Sequence, residues 1–324
     1  MSRPAIPKKL LQLVLYESAF RCVVCQSTGC QIHHIDQDRT NNVEANLVAL
    51  CPTHHGEAHT RREHSRNLDA AALLYAKDQW IRAVRAHREK CATVAGQCES
   101  VGERSILAVG ITWGYINHAR VAQMSDVDQL KGKSRASFDY CVAKGIVDSS
   151  GIIIKPTTLG HASGPSKNTV YDWFAFGDDQ RLHLLYTGMV DQIAASRTVV
   201  HLETESWNPD AIESLVDPGT LIFTRAPFAF KNERVNPESE HRRVRTSRNG
   251  VTLEFFADTI NMFGDTSIYQ SFTGRKTASA LVIVKDISQD AGDVVISASP
   301  LAMGVGFQAS FPTLQQGAST TVAT

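Results

Sequence analysis

Residues 22–59 read CVVCQSTGCQIHHIDQDRTNNVEANLVALCPTHHGEAH and set the organisation of the N-terminal part of the chain. Cys22 and Cys25 are separated by two residues, Cys51 and His54 repeat that gap, and 25 residues lie between the two pairs. Three cysteines and one histidine in this spacing are a usual ligand set for a closed tetrahedral zinc site. The sequence therefore predicts one structural Zn2+ held by these four residues.

Four further histidines, His33, His34, His55 and His59, lie among these ligands and are not needed to complete the zinc site. With them, the segment resembles the HNH (ββα-metal) nuclease family over about residues 20–60. The resemblance rests on these elements: Cys22-x2-Cys25, His33-His34-Ile35, Asn46-Leu47, Leu50-Cys51 and His54-His55. Most zinc-bearing members have cysteine at the position of His54, but zinc accepts either ligand.

The resemblance implies a role for each matching residue. His33 and His55 would bind a catalytic divalent cation, Mg2+ or Mn2+, with Ni2+ or Zn2+ as alternatives. His34 would be the general base, and Asn46 would orient it. His59 follows His55 by four residues, so the two share one helix face. The colicin-type branch of the family uses such a pair, which makes His59 a third expected ligand.

These residue types suit phosphodiester hydrolysis. Neutral imidazole, with an ordinary pKa near 6.5, can activate water near neutral pH, and a divalent cation can act as a Lewis acid. The alternative interpretation is a zinc module without catalysis. Cys30 is either a competing zinc ligand or a small buried side chain, and Asp36 and Asp38 are either metal supports or solvated loop carboxylates.

Composition and charge suggest an intracellular, cytoplasmic protein that binds nucleic acid. The chain of 324 residues has seven cysteines with no disulfide framework and no apolar run long enough to span a membrane, and its first residues are expected to form a helix and not a secretory leader. Residues 1–92 carry 13 Lys and Arg against 9 Asp and Glu, and the remainder carries 20 against 24. Double-stranded DNA is the expected partner of the basic part. Arg61, Arg62 and Arg66 are candidate DNA contacts, and a solvated helix face is the alternative.

The predicted fold class is α+β in three parts. Residues 1–66 form the zinc-stabilised ββα-metal module, 67–104 a long linking helix and linker, and 105–324 a β-rich specificity or regulatory domain. The long helix has a predicted apolar stripe of Leu74, Ile81 and Val84, with Leu73 and Trp80 beside it. A helix is expected over 134–146. Strands are predicted over these ranges: 152–154, 199–202, 221–224, 251–256, 280–284 and 294–297.

Together these features predict a metal-dependent HNH DNA endonuclease of the bacterial restriction or antiphage-defence type. Its C-terminal domain would sense target DNA, a modified base or a signalling nucleotide, and would promote a homodimer or larger assembly. The alternatives are a non-catalytic zinc-containing DNA-binding or assembly protein, and a nuclease acting on RNA or branched substrates.

Two C-terminal clusters leave their roles open. The run His241–Arg245, with Arg248, is either an anion contact or an exposed arm. Tyr171, Trp173, Phe174 and Phe176 are either core or a stacking platform.

Overall fold

The computed structural model describes two compact units. One covers Met1–Arg88 together with Asp210–Leu215, and the other covers Glu89–Pro209 together with Val216–Gln308. The residues described are these: 5–60, 68–92, 112–154, 174, 177–234, 241–258, 274–290 and 292–305. The protein is a mixed α+β chain whose second unit contains a large β-sheet.

The N-terminal unit places a two-stranded antiparallel sheet beside a short helix. Its elements are α1 (Lys8–Glu17), β1 (Gln31–His34), β2 (Leu47–Leu50), α2 (Pro52–His59) and α3 (Ala70–Ala92). The register pairs His33 with Val48 and His34 with Leu47. Helix α2 begins with Pro52 in its first turn, where the missing N–H of proline costs no helical hydrogen bond. This is the strand–strand–helix order predicted from the sequence.

Helix α3 completes the core of this unit. Its side chains Leu73, Trp80 and Val84 are buried in one apolar cluster with Cys22, Leu50 and other residues of the zinc-ligand region. Trp80 is fully buried, and its Nε1 donates to the carbonyl of Ser18 at 2.8 Å. The helix predicted to link two domains therefore packs as part of the first unit as far as Arg88.

The buried face of α3 also differs from the predicted stripe. Leu74 is half exposed, while Leu73 is buried. The helix is capped by Asp69, whose carboxylate accepts from the backbone N–H of Ala72 at 2.8 Å. The apolar pattern allowed either of two adjacent faces to be buried, and the face that carries Trp80 packs against the core.

The C-terminal unit contains three helices and seven strands among its described residues. The helices are α4 (His118–Met124), α5 (Gly132–Ala143) and α6 (Asp178–Ser196), whereas all of α7 (Pro209–Leu215) except Pro209 belongs to the first unit. The strands are β3 (Thr112–Ile116), β4 (Val199–Leu202), β5 (Leu221–Arg234), β6 (His241–Arg248), β7 (Val251–Asp258), β8 (Gly274–Asp290) and β9 (Asp293–Val305).

Five of these strands close on themselves. The pairings run from β5 to β6, β7, β9 and β8 and then return to β5, while β4 and β3 extend β5 and β9. The turn at Asn249 and Gly250 joins β6 to β7, as its sequence predicts, because both residues have positive φ. The rings of Phe228 and Phe255 lie 5.8 Å apart inside this closed set.

Two helices pack over one end of the sheet and were only partly expected. Helices α5 and α6 share one core with Leu221, Phe223 and Leu281 of the sheet. The α5 helix matches the prediction, but α6 was not predicted, because strand patterns dominate that half of the sequence. Gly188 permits the close approach of α6 to α5, since a Cβ there would overlap Ser134.

Several sequence predictions take a different form or fall outside the described residues. Residues 152–154 form only an isolated bridge, between Ile153 and Val147, and Ile152 and Ile154 are largely exposed. Phe174 packs against the helical core, whereas Tyr171, Trp173 and Phe176 lie outside the described residues. Among the described helices, none has both the length and the apolar content required to cross a membrane.

Candidate metal centres

The four predicted zinc ligands come together between the β1 side of the sheet and the start of α2. The ligand atoms of Cys22, Cys25, Cys51 and His54 all lie within 4.8 Å of one another. Sγ of Cys25 is 3.8 Å from Sγ of Cys51, and Nδ1 of His54 is 3.2 Å from Sγ of Cys51 and 3.5 Å from Sγ of Cys22. Two sulfurs on one tetrahedral zinc stand about 3.8 Å apart, and a sulfur and a nitrogen about 3.6 Å apart. The donor set fits one zinc ion.

The protonation chemistry of these thiols also suits a cation. Burial raises the pKa of Cys22 to about 11, so this thiol would stay neutral without a positive partner. Burial also opposes ionisation of Cys51, but hydrogen bonds from the backbone and side chain of His54 outweigh it and lower the pKa to about 6. A bound cation would stabilise the thiolate form of both groups.

Two residues, Glu57 and Cys30, lie close to the four-ligand cluster without belonging to it. Glu57, on the next helical turn, places a carboxylate oxygen 3.8 Å from Nε2 of His54, which is near the ring but beyond hydrogen-bond distance. Cys30 is outside the four-ligand set, and its Sγ lies 3.5 Å from the carbonyl oxygen of Ser27. Burial raises the pKa of Cys30 to about 12. Of the two interpretations of Cys30, the structure supports the partly buried structural side chain.

Three of the remaining histidines form a second cluster. The ligand nitrogens of His33, His55 and His59 also lie within 4.8 Å of one another. Their ring centroids are 4.8 to 5.2 Å apart, in edge-to-face arrangements. His33 comes from β1, and the other two come from successive turns of α2. Exposure increases across the set, because His33 is buried, His55 is half-buried and His59 is exposed.

His33 shows that this cluster fits a metal ion. Its Nε2 is buried and has no hydrogen-bond partner. Burial, together with the neighbouring imidazoles of His59, His55 and His34, lowers the pKa of His33 to about 4. The ring is therefore neutral near pH 7 and presents a lone pair toward two other imidazoles, as a metal ligand does.

His34 is the next residue of β1 and is not a member of this cluster. Its Nε2 lies 2.9 Å from Oδ1 of Asn42, and the ring is 4 % exposed. An amide oxygen can only accept, so Nε2 carries the proton and Nδ1 keeps the lone pair. The protein thus fixes one tautomer of His34, with Nδ1 as the basic nitrogen.

The residue that contacts His34 is Asn42 and not Asn46, to which the resemblance assigns the orienting role. The Asn46 side chain accepts from the backbone N–H of Asp36 at 3.0 Å and donates to the Asp36 carboxylate at 2.8 Å and to the carbonyl of Asn41 at 3.0 Å. It therefore acts on the loop that follows His34 and has no hydrogen bond to the ring. Asn42 lies outside the motif elements that carry the resemblance, so the resemblance assigns it no role.

The carboxylates of Asp36 and Asp38 accept hydrogen bonds from other residues of the same loop. Asp36 accepts from Asn41, Asn46 and the backbone of Asp38, and these bonds lower its pKa. Asp38 accepts from the backbone and hydroxyl of Thr40. Neither carboxylate belongs to a metal-ligand cluster of the described residues. Both shape the loop between β1 and β2.

Basic side chains of α3 also serve the fold. Lys77 donates to the carbonyls of Glu44 and Ala45, which precede Asn46. Arg85 pairs with Glu17 at 2.7 Å, and Arg88 lies over the Tyr16 ring and donates to the Tyr16 carbonyl. The candidate DNA contacts Arg61, Arg62 and Arg66 lie outside the described residues.

The two clusters together account for seven of the predicted site residues, and His34 lies next to His33 in β1. Comparison of the chain with family models, with curated proteins and with solved structures gave no match.

Proposed function

We propose that the N-terminal unit is the catalytic module of a metal-dependent endonuclease of the HNH type. The observation that carries the proposal is the second cluster: three imidazoles converge on one point, and the most buried one has an unpartnered Nε2. A structural zinc site does not need these residues, because Cys22, Cys25, Cys51 and His54 already supply four ligands.

In this function, His33, His55 and His59 hold a divalent cation. The chemistry that such a bound cation supplies is polarisation of the scissile phosphate and neutralisation of charge on the departing oxygen. The graded exposure of the three rings suits this task, because the buried side anchors the site and the exposed side leaves room for substrate. By contrast, the four-ligand cluster is closed and has a structural role.

His34 acts as the general base. Nε2 of its ring is held by Asn42, so Nδ1 is the nitrogen that accepts a proton from the attacking water. Asn46, Asp36 and Asn41 keep the adjoining loop in one conformation, and Lys77 ties the segment before Asn46 to α3. Asn42 is thus the positioning residue for the base, and Asn46 is the positioning residue for the loop.

Duplex DNA is the proposed substrate, and the C-terminal unit is proposed to supply target choice, ligand sensing or self-association. The described part of that unit contains no second cluster of potential metal ligands. A module that contacts mainly phosphates has little sequence selectivity of its own, so selectivity has to come from elsewhere in the chain. A sensor of modified bases or nucleotides in restriction or antiphage defence is one form of this role.

The test uses the full chain with supercoiled plasmid, linear duplex, branched DNA and single-stranded RNA. We expect plasmid and duplex cleavage in Mg2+ or Mn2+ and none without an added divalent cation. Zinc content is measured on the same samples, because a non-catalytic zinc protein would bind zinc and cleave none of the four. Cleavage restricted to RNA or to branched DNA would replace the proposed substrate and keep the proposed chemistry.

A further inference from the structure

The basic cluster seen in the sequence at 241–248 does not form one surface. Arg242 is buried on the face of β6 that carries Val244. Arg243 pairs with Glu233 at 3.0 Å and with Glu254 at 2.6 Å, and Arg248 donates to Thr204. Arg245 forms no ion pair among the described residues and lies on the opposite face of β6 from the buried Val244, which is the outer side of the closed sheet. The run is part of the sheet and not an exposed arm.

A different basic surface is built from three strands. Alternate residues of β5 face the same side, and the first of them, Leu221 and Phe223, are covered by the helices α5 and α6. The next residues on that face, Arg225 and Pro227, are exposed. The face therefore changes from apolar to basic where the helical cover ends.

Strand β8, which pairs with β5, shows the same change from apolar to basic side chains along its length. Leu281 lies beside Phe223 in the helix-covered core, whereas Arg275 lies beside Ala229 and is exposed. On the other side of Ala229, strand β6 places Arg245. Two strand spacings separate Arg275 from Arg245, or ~10 Å, and the small side chain between them leaves the space open.

Within the described part of the chain, the cations on this face have no acidic partner. Arg225, Arg275 and Lys231 are exposed, and among the described residues neither they nor the half-buried Arg245 form an ion pair, although Arg245 donates to the hydroxyl of Thr252 at 3.3 Å. The carboxylates of Glu233 and Glu254 are both taken by Arg243. From Arg225 to Lys231 the strand covers ~20 Å, so the surface is an extended strip and not a pocket for one small anion.

We infer that this strip, defined by Arg225, Lys231, Arg245 and Arg275, binds the phosphate backbone of duplex nucleic acid. A strip of unpaired cations matches a repeating polyanion, and guanidinium groups bind phosphate oxygens in paired hydrogen bonds. The contact carries affinity without base readout. The choice of DNA as the occupant rests on the proposed nuclease function, but the binding itself requires neither metal nor cleavage.

The experiment compares two double variants of the full chain that each remove two exposed arginine charges. Arg225→Gln with Arg275→Gln removes charge from the strip. Arg120→Gln with Arg197→Gln removes the same charge from two exposed positions, one in helix α4 and one at the end of α6. Binding of a labelled short duplex is measured by fluorescence anisotropy, without added divalent cation, between about 50 and 200 mM salt. Thermal melts confirm that both doubles are folded.

We expect the strip double to bind several-fold more weakly and to lower the slope of log K against log salt by about 2, the loss of two phosphate contacts. The control double should keep the wild-type slope. A third double, Arg225→Lys with Arg275→Lys, should restore the slope, because it restores the charge. Equal slopes for the strip and control doubles, or no duplex binding by the wild type, would overturn the inference.

Plasmid cleavage is measured on the same preparations. Weaker binding by the strip double, in a wild-type chain that does not cleave, would support this strip and contradict the nuclease function. If the wild-type chain cleaves plasmid and the strip double binds duplex as tightly as the wild type, the result would support the nuclease function and contradict the role of this strip.

Discussion

The two clusters of the N-terminal unit share α2 but differ in ligand type, ligand number and exposure. His54 and His55 are adjacent, yet one turns to three cysteines and the other to two histidines. The cysteine cluster has four ligands, spacings that match a tetrahedral ion and a carboxylate behind its histidine. The histidine cluster has three ligands, and its exposure increases from His33 to His59.

One short helix supplies ligand atoms to both clusters. Adjacent residues of a helix point about 100° apart, whereas residues four apart share a face, so α2 contributes His54 to one cluster and His55 with His59 to the other. A fold fixed by the first cluster would hold the ligands of the second in place, which is what a small reactive site needs. The contrast between the clusters would be wrong if substitutions in either cluster had the same effect on zinc content, stability and cleavage.

The largest expected effect is loss of the closed cluster. Cys51→Ser should remove about one zinc ion per chain and unfold the N-terminal unit, because structural zinc binding contributes on the order of 10 kcal/mol to such small cores. Zinc content and thermal unfolding measure both effects. Cys30→Ser is the matched control, since Cys30 lies outside the cluster, and it should keep the zinc. A folded, zinc-containing Cys51→Ser protein would contradict the structural assignment.

The next effect tests whether α3 belongs to the same unit as both clusters. Trp80→Ala should lower the free energy of unfolding by about 3–5 kcal/mol, the usual cost of removing a fully buried large aromatic side chain. Tyr75→Ala is the control on the same helix, because Tyr75 is 69 % exposed and should change stability by less than about 0.5 kcal/mol. Chemical denaturation followed by circular dichroism measures both. If Trp80→Ala and Tyr75→Ala had equal free energies of unfolding, α3 would be a linker and not part of the core.

The smallest effect separates the two asparagines. Asn42→Ala removes the hydrogen bond to His34 and should reduce the cleavage rate roughly 10-fold, which corresponds to about one hydrogen bond, with little change in melting temperature. Asn46→Ala removes three hydrogen bonds from the loop and should lower stability by roughly 1–3 kcal/mol. Rate and melting temperature are compared for both variants. If Asn46→Ala alone slowed cleavage and the melting temperatures agreed, the assignments would have to be exchanged.

Much of the N-terminal unit is predictable because its information is local. Metal-ligand spacing identifies Cys22, Cys25, Cys51 and His54, and the four-residue gap identifies His55 with His59. The hydrogen bond of Asn42 to His34 is not predictable in this way, since either asparagine of the loop could reach the ring. The contact of Lys77 with Glu44 and Ala45 spans more than thirty positions and leaves no local signal.

The C-terminal unit is less predictable because tertiary contacts determine its organisation. The turn at Asn249 and Gly250 marks one hairpin correctly, but no local pattern shows that β8 returns to β5 and closes the sheet. Helix α6 contains Gly188, which a helix scale penalises, yet the close packing of α5 requires it. Arg225 and Arg275 are 50 positions apart in sequence and meet on one face only because β5 and β8 pair.

The measurement that tests the central claim most directly is single-turnover plasmid cleavage by the full chain in Mn2+, with zinc content determined on the same samples. We predict that His34→Ala keeps about one zinc ion and wild-type melting but cleaves at least 10²-fold more slowly, the scale of losing a general base. His55→Ala should keep the same zinc and require more Mn2+. Wild-type cleavage by His34→Ala, or loss of zinc together with activity in His55→Ala, would contradict the division into a structural and a reactive cluster.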